Sequence, residues 1–282
     1  MPLSAIRIER LSKTFSSGKR GLDDISLTVG KGEMVALIGA SGSGKSTLIR
    51  HIAGLVTADR ANGSTISVHD RAVQDQGRIA TNVRDIRREI GVIFQQFNLV
   101  GRMSVLTNVL TGVLGRIPAW RGSVGAFPLT EQRAAMAALT RVGIAETARQ
   151  RASTLSGGQQ QRAAIARALV QGARILLADE PIASLDPASA RRVMETLETI
   201  NSQDGITVVV ALHQVEYARR FCQRTIAMQA GRVVFDGPSS QLSNERLRQI
   251  YGSASEELIL PDAGEVRRPA PIPEGLAAAV AA

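Results

Sequence analysis

The chain has 282 residues with 34 Lys plus Arg against 25 Asp plus Glu, a formal net charge of +9. That length holds one large domain or two lobes sharing a core, and the basic balance suits anionic partners: nucleotide phosphates, nucleic acid or an acidic membrane face. The single cysteine, Cys222, excludes an internal disulfide framework and a cysteine-based zinc site, and no apolar run is long enough to span a bilayer.

The N-terminal stretch interleaves charges with apolar residues and lacks the apolar core of an export signal, so the expectation is a cytosolic chain. Apolar alternation predicts short strands over Ile6 to Glu9, Ile25 to Val29 and Met34 to Ile38. The last of these runs straight into Gly39-Ala40-Ser41-Gly42-Ser43-Gly44-Lys45-Ser46-Thr47, a match to G-x-x-x-x-G-K-[ST] followed by a helical pattern. Phosphate oxygens need to be wrapped by backbone N–H groups, so side chains are a hindrance at Gly42 and Gly44, and the helix start adds its dipole. Lys45 then reaches the β and γ phosphates, and the Ser46 hydroxyl is a ligand for Mg²⁺.

Asp70 to Ile90 mixes five arginines (Arg71, Arg78, Arg84, Arg87, Arg88) with four acids (Asp70, Asp75, Asp85, Glu89), the pattern of a solvated face or loop. From Ser104 to Gly143 the character turns helical, notably over Glu131 to Leu139, which predicts a helical lobe inserted in an α/β core. Gly115 to Pro128 reads as a surface connection that carries Trp120, with packing on its own lobe favoured over contact with a partner.

Leu155-Ser156-Gly157-Gly158-Gln159 precedes a helix running to Gln171. Taken locally it is a serine cap with glycines. It is also a second helix start able to bind phosphate, and one nucleotide does not easily lie on two helix starts in different lobes, which suggests a partner chain. The apolar strand Arg174 to Ala178 ends in Asp179 and Glu180, and its composition calls for burial beside the loop strand. Asp179 is placed to orient Mg²⁺ through water and Glu180 to polarise the attacking water. A helix over Ala188 to Ile200, a strand over Ile206 to Leu212 ending at His213, a helix over Val215 to Cys222 and a strand over Thr225 to Met228 complete a parallel sheet covered on both faces. Residues 253–282 hold four of the ten prolines and five acids against two arginines, the composition of a flexible tail.

This combination resembles the nucleotide-binding subunit of ABC transporters over roughly residues 5–250. The resemblance implies an α/β fold: a P-loop NTPase core of ABC ATPase type with a helical subdomain inserted at about 96–160 and an antiparallel β portion at the N-terminus, the whole domain spanning 1–252. It makes Gly39 to Thr47 the Walker A loop, Gln95 the Q-loop glutamine and a ligand of Mg²⁺, and Leu155 to Gln159 the signature. Asp179 and Glu180 become the Walker B aspartate and catalytic glutamate, Asp186 belongs to the D-loop, His213 is the switch histidine, and Phe15 stacks on adenine. ATP and Mg²⁺ are the implied cofactors.

The implied assembly is a head-to-tail homodimer with ATP between one chain's Walker loop and the other's signature. It would work peripherally on the cytoplasmic face of the inner membrane with permease subunits and, indirectly, a periplasmic substrate-binding protein, and not on nucleic acid. His213-Gln214 and the Ile182-Ala183 pair after Asp179-Glu180-Pro181 resemble the ATP-binding subunits of phosphonate importers. One departure is Thr107, where importers commonly carry a glutamate that helps hold the permease. The alternative reading is a soluble ABC ATPase acting in a phosphonate-degrading complex or on nucleic acid. A single cassette without sustained heptads between the motifs disfavours the nucleic-acid version.

Overall fold

The computed structural model describes residues 4–60 and 63–252; the segment expected to be a flexible tail, 253–282, lies outside them. Three strands open the fold, β1 (Ser4–Thr14), β2 (Arg20–Gly30) and β3 (Met34–Ile38), followed by α1 (Lys45–Ile52), β4 (Thr65–Val68), β5 (Arg71–Asp75), β6 (Arg78–Ile79), α2 (Val83–Arg88) and β7 (Ile90–Ile93). The helical lobe contributes α3 (Val105–Leu110), α4 (Ala119–Ser123), α5 (Leu129–Arg141) and α6 (Gly157–Gln171). The chain then alternates through β8 (Ile175–Asp179), α7 (Pro187–Asp204), β9 (Thr207–Leu212), α8 (Val215–Phe221), β10 (Arg224–Gln229) and β11 (Arg232–Pro238), and ends in α9 (Asn244–Tyr251).

These strands form two sheets. β2-β1-β4-β5-β6 is antiparallel, whereas β11-β10-β3-β9-β8-β7 is parallel except for its edge strand β11. The central strands are buried on both faces, and strand periodicity divides each between two cores. In β3, Met34, Ala36 and Ile38 join the core shared with the helical lobe, while Val35 and Leu37 join the core under the N-terminal sheet and α1. β8 and β9 split the same way, with Leu177 and Val209 on the N-terminal side and Leu176 and Val210 on the helical side.

One expectation of strand order is corrected. The strand ending in Asp179 is not the neighbour of the loop strand, because β9 lies between β3 and β8. Burial on both faces is what its composition demands, and that demand is met anywhere in the sheet interior. The charged stretch 70–90 is the β5–β6 hairpin and α2, with Val73, Gln74, Val83 and Ile86 buried beneath an exposed charged face. Several of its charges have local structural partners: Arg87 donates to the carbonyls of Ala53 and Gly54, at 3.2 and 2.6 Å, and Arg71 pairs with Glu89 at 2.6 Å. Trp120 is 66% exposed, so packing on its own lobe, the favoured expectation, accounts for little of its surface.

Candidate nucleotide site

β8, β9 and β3 are consecutive in the sheet, so their carboxyl ends bring Asp179 with Glu180, His213, and the glycine loop to one edge, where ligands of open parallel sheets bind. The loop from Gly39 to Gly44 is shaped by sterics. Gly39 has φ 152°, and a Cβ there would stand 2.3 Å from the Met228 carbonyl and 2.6 Å from Ser43 Oγ. Gly44, at φ 107°, would place a Cβ 2.7 Å from the Gly21 carbonyl. It also caps α1 without any side-chain hydrogen bond, leaving the helix start to backbone N–H groups.

Lys45 is buried to 3% exposure, its Nζ donating to the Gly39 carbonyl at 2.7 Å and to that of Ala40 at 3.3 Å. It also stands 3.8 Å from Glu180 Oε1. The same Glu180 oxygen lies 2.6 Å from His213 Nε2. The hydrogen bond from His213 holds the Glu180 carboxyl below its ordinary pKa against the opposing effect of burial, so it is ionised at neutral pH. Glu180 has φ 53°, a left-handed conformation for a non-glycine residue of the kind concentrated at functional turns.

Asp179 behaves in the opposite way, since burial first and the neighbouring Glu180 charge next push its pKa up, while the hydrogen bond from Ser46 pulls it down. Ser46 Oγ donates to Asp179 Oδ1 at 2.7 Å. A hydroxyl and a carboxylate side by side form an oxygen-only donor pair suited to a hard divalent cation. Among the described residues no cluster of three His, Cys, Asp or Glu side chains is placed to hold a metal. A cation at this pair would therefore draw its remaining ligands from phosphate, water and amide oxygens.

The cradle is an open depression of about 170 Å³ lined by Phe15, Lys19, Gly21, Gly42 to Thr47 and Glu180. Phe15 is 40% exposed and lies over Gly21, where a Cβ would meet its ring at 2.5 Å. Lys19, one of the lining residues, was missed by motif reading; its only sequence signal is a cation close after the aromatic residue in the same turn. A cavity of about 450 Å³, larger than the cradle, lies away from all these motifs, between Met34, Asn201, Arg219 and Cys222. Cys222 is buried there, and burial pushes its thiol up to about 12.

Other predicted residues lie outside the depression. Gln95 is exposed just beyond β7; the register of β7 with β8 ends at Ile93 opposite Ala178, which brings Gln95 to the sheet edge that carries Glu180. Ser156 caps α6 in a reciprocal capping box: its Oγ accepts from Gln159 N at 3.4 Å and its N–H donates to Gln159 Oε1 at 3.0 Å. Gly157 and Gly158 pack against the turn before α7 and the start of that helix, since Cβ atoms there would stand 2.9 Å from Leu185 and 2.8 Å from Ser189. Asp186 is exposed and caps α7, accepting from Ser189 N at 2.9 Å. No residue of Ser156 to Gln159 lines the depression of its own chain.

The ABC transporter family profile matches residues 22–183. A phosphonates import ATP-binding protein PhnC from Stutzerimonas stutzeri is 62% identical over 257 residues, covering 91% of this chain and 93% of that protein. A dimeric post-hydrolysis ATP-binding cassette bound to ADP and Pi superimposes with a TM-score of 0.71 at 32% identity, covering 83% of this chain and 98% of that one. The cbiO1 subunit of the Clostridium perfringens cbiONQ ABC transporter complex gives 0.74 at 28% identity, covering 88% and 94%.

Proposed function

The chain belongs to the ABC transporter family, and on that premise we propose that it is the ATP-hydrolysing subunit of a phosphonate importer. The observation that carries the reading is the Glu180 carboxylate, held between Lys45 and His213 at the mouth of the glycine loop. The importer assignment draws on relatives of about 60% identity that span nine-tenths of the chain and are named for phosphonate import.

In this reading the adenine ring stacks on the exposed face of Phe15, and the N–H groups from Gly39 to Thr47 wrap the phosphates. Lys45 leaves its carbonyl partners to pair with the β and γ phosphates, and Glu180 accepts the proton of the water that attacks the γ-phosphorus as the bond to ADP breaks. His213 keeps Glu180 oriented and ionised. Mg²⁺, when bound, would neutralise phosphate charge, with Ser46 holding it directly, Asp179 through water, and Gln95 as a further ligand. Ser156 to Gln159, with Asp186 nearby, complete the pocket of a second copy, which accounts for their place outside their own chain's depression.

The domain spans 1–252 with its helical subdomain at about 96–160, and Gln95 links the γ-phosphate position to that subdomain and through it to a permease. No helix among the described residues is long and apolar enough to cross a membrane; the subunit docks peripherally on the inner membrane, fed by a periplasmic binding protein across the permease.

Cysteines placed at Ser41 and Ser156, both exposed, test the shared pocket. Crosslinks between chains that increase with ATP are expected in the Glu180→Gln background, and crosslinks confined to one chain refute the arrangement. Uptake of 2-aminoethylphosphonate by cells lacking the subunit tests the transport role. Wild type should restore uptake and Glu180→Gln should not; restoration by both would sink the coupling of hydrolysis to transport.

A further inference from the structure

The last described helix reaches back to the root of the glycine loop. α9 is capped by Ser243, whose Oγ accepts from Arg246 N at 3.1 Å, and its inner face is formed by Leu247 and Tyr251, spaced i, i+4 and buried to 0% and 4% exposure. Van der Waals burial alone would be served as well by phenylalanine. A phenol in a dry interior is costly unless its hydroxyl finds a partner. The Tyr251 hydroxyl lies 3.2 Å from the Met228 carbonyl and 3.4 Å from the Ile38 carbonyl, one proton shared between two acceptors.

Those two carbonyls stand where β3 and β10 separate. The ladder between these strands ends at Ile38 opposite Ala227; beyond it one chain enters the loop at Gly39 and the other continues through Met228 into the β10–β11 turn. Met228 touches the loop at both ends. Its carbonyl sets the close approach at Gly39, and its terminal methyl would meet a Cβ on Gly44 at 3.3 Å. The turn after β10 adds a third tie, with Gly231 N donating to the Ser43 carbonyl at 3.0 Å. Gly39 in turn supplies the carbonyl that Lys45 holds at 2.7 Å.

We propose that Tyr251 is a positioning residue for the nucleotide site: its hydroxyl fixes the spacing of Met228 and Ile38, and through them the Gly39 end of the loop that wraps the phosphates. This inference rests on the nucleotide-site reading above. The tie is remote in sequence, lies outside every loop motif and does not line the depression.

Tyr251→Phe keeps the ring and removes only the hydroxyl. In the full-length chain, the Kd of a fluorescent ATP analogue should rise about 3- to 10-fold, the range expected for one lost hydrogen bond. KM for ATP should rise in parallel while kcat at saturating ATP stays within about twofold, the split expected when binding geometry and not the chemical step is disturbed. Leu247→Ala on the same helix face is the control for mere anchoring. It should lower the thermal midpoint by several degrees or more, as a buried leucine truncation does, with Kd within about twofold of wild type. A Tyr251→Phe chain with wild-type Kd and KM, or a Leu247→Ala chain whose Kd rises as much as that of Tyr251→Phe, overturns the proposal while leaving the nucleotide site standing. A wild-type chain that fails to bind the analogue overturns both.

Discussion

Two helices of this chain begin at glycine-containing turns and finish those starts in opposite ways. At α1 the capping position is Gly44, in a left-handed conformation and with no side chain to bond the first N–H groups. At α6 the N–H groups of Ser156 and Gln159 are met from within the chain by reciprocal bonds between these two residues. A start without an internal cap leaves its N–H groups to water or a ligand, whereas a start with its own cap keeps its shape until something is brought to it. The proposed function accordingly sets the first with Lys45, Glu180 and His213 as the place of chemistry and takes the second as a preformed surface to be presented to another copy.

The largest test of this contrast is Glu180→Gln. Hydrolysis should fall by roughly 10² to 10⁴ while the nucleotide still binds, as expected when a general base is lost and its shape retained. Phosphate release near the wild-type rate would remove Glu180 from the chemistry.

Gly44→Ala comes next, because it forces a Cβ onto a positive φ and to 2.7 Å from the Gly21 carbonyl. Strain of about 1–3 kcal/mol concentrated at the phosphate cradle predicts nucleotide affinity down about 5- to 150-fold in equilibrium titration. Unchanged affinity would mean that the α1 start is not the receiving surface.

Ser156→Ala removes the internal cap of α6 and should cost about 1 kcal/mol of stability. Thermal melting should register that loss with nucleotide affinity of the isolated chain unaltered; an affinity loss matching that of Gly44→Ala would erase the distinction between the two starts. Gly158→Asp is the poorer probe of a shared pocket, since Gly158 already packs against Ser189 of its own chain.

The smallest effect concerns α3. Ser104 caps this helix, accepting from Thr107 N at 3.1 Å, and Thr107 Oγ1 lies 2.7 Å from Ser104 Oγ. Thr107 thus occupies the position from which a glutamate would close a capping box. Thr107→Glu should raise the thermal midpoint by about 1 °C if it adds a few tenths of a kcal/mol. A lowered midpoint would mean that the threonine hydroxyl contributes more at this half-buried cap than a carboxylate can.

Much of the site was legible because its demands are local. A glycine loop between strand and helix, an apolar strand ending in two acids, and a histidine directly after another strand each state their chemistry within a few residues. Lys19 and Tyr251 were not legible, because neither carries a local pattern. Lys19 lines the depression by virtue of a turn between two strands, and Tyr251 depends on a helix packing across the sheet. The 70–90 segment was legible as a solvated face but not as a hairpin, for a related reason. Its charges are real and exposed, but a two-strand hairpin needs only a few inward residues such as Val73 and Gln74 to be held in place.

The sequence by itself determined that β3, β8 and β9 are buried strands and that their carboxyl ends carry a glycine loop, acids and a histidine, because residue type and periodicity are properties of neighbours along the chain. Only the tertiary structure decided that β9 separates the two motif strands, that Lys45 and His213 converge on one oxygen of Glu180, and that Ser156 stands apart from its own chain's cradle. Periodicity says which face of a strand is buried but not which strand lies beside it; that choice is made by long-range packing, where all the elements compete for the same apolar surface.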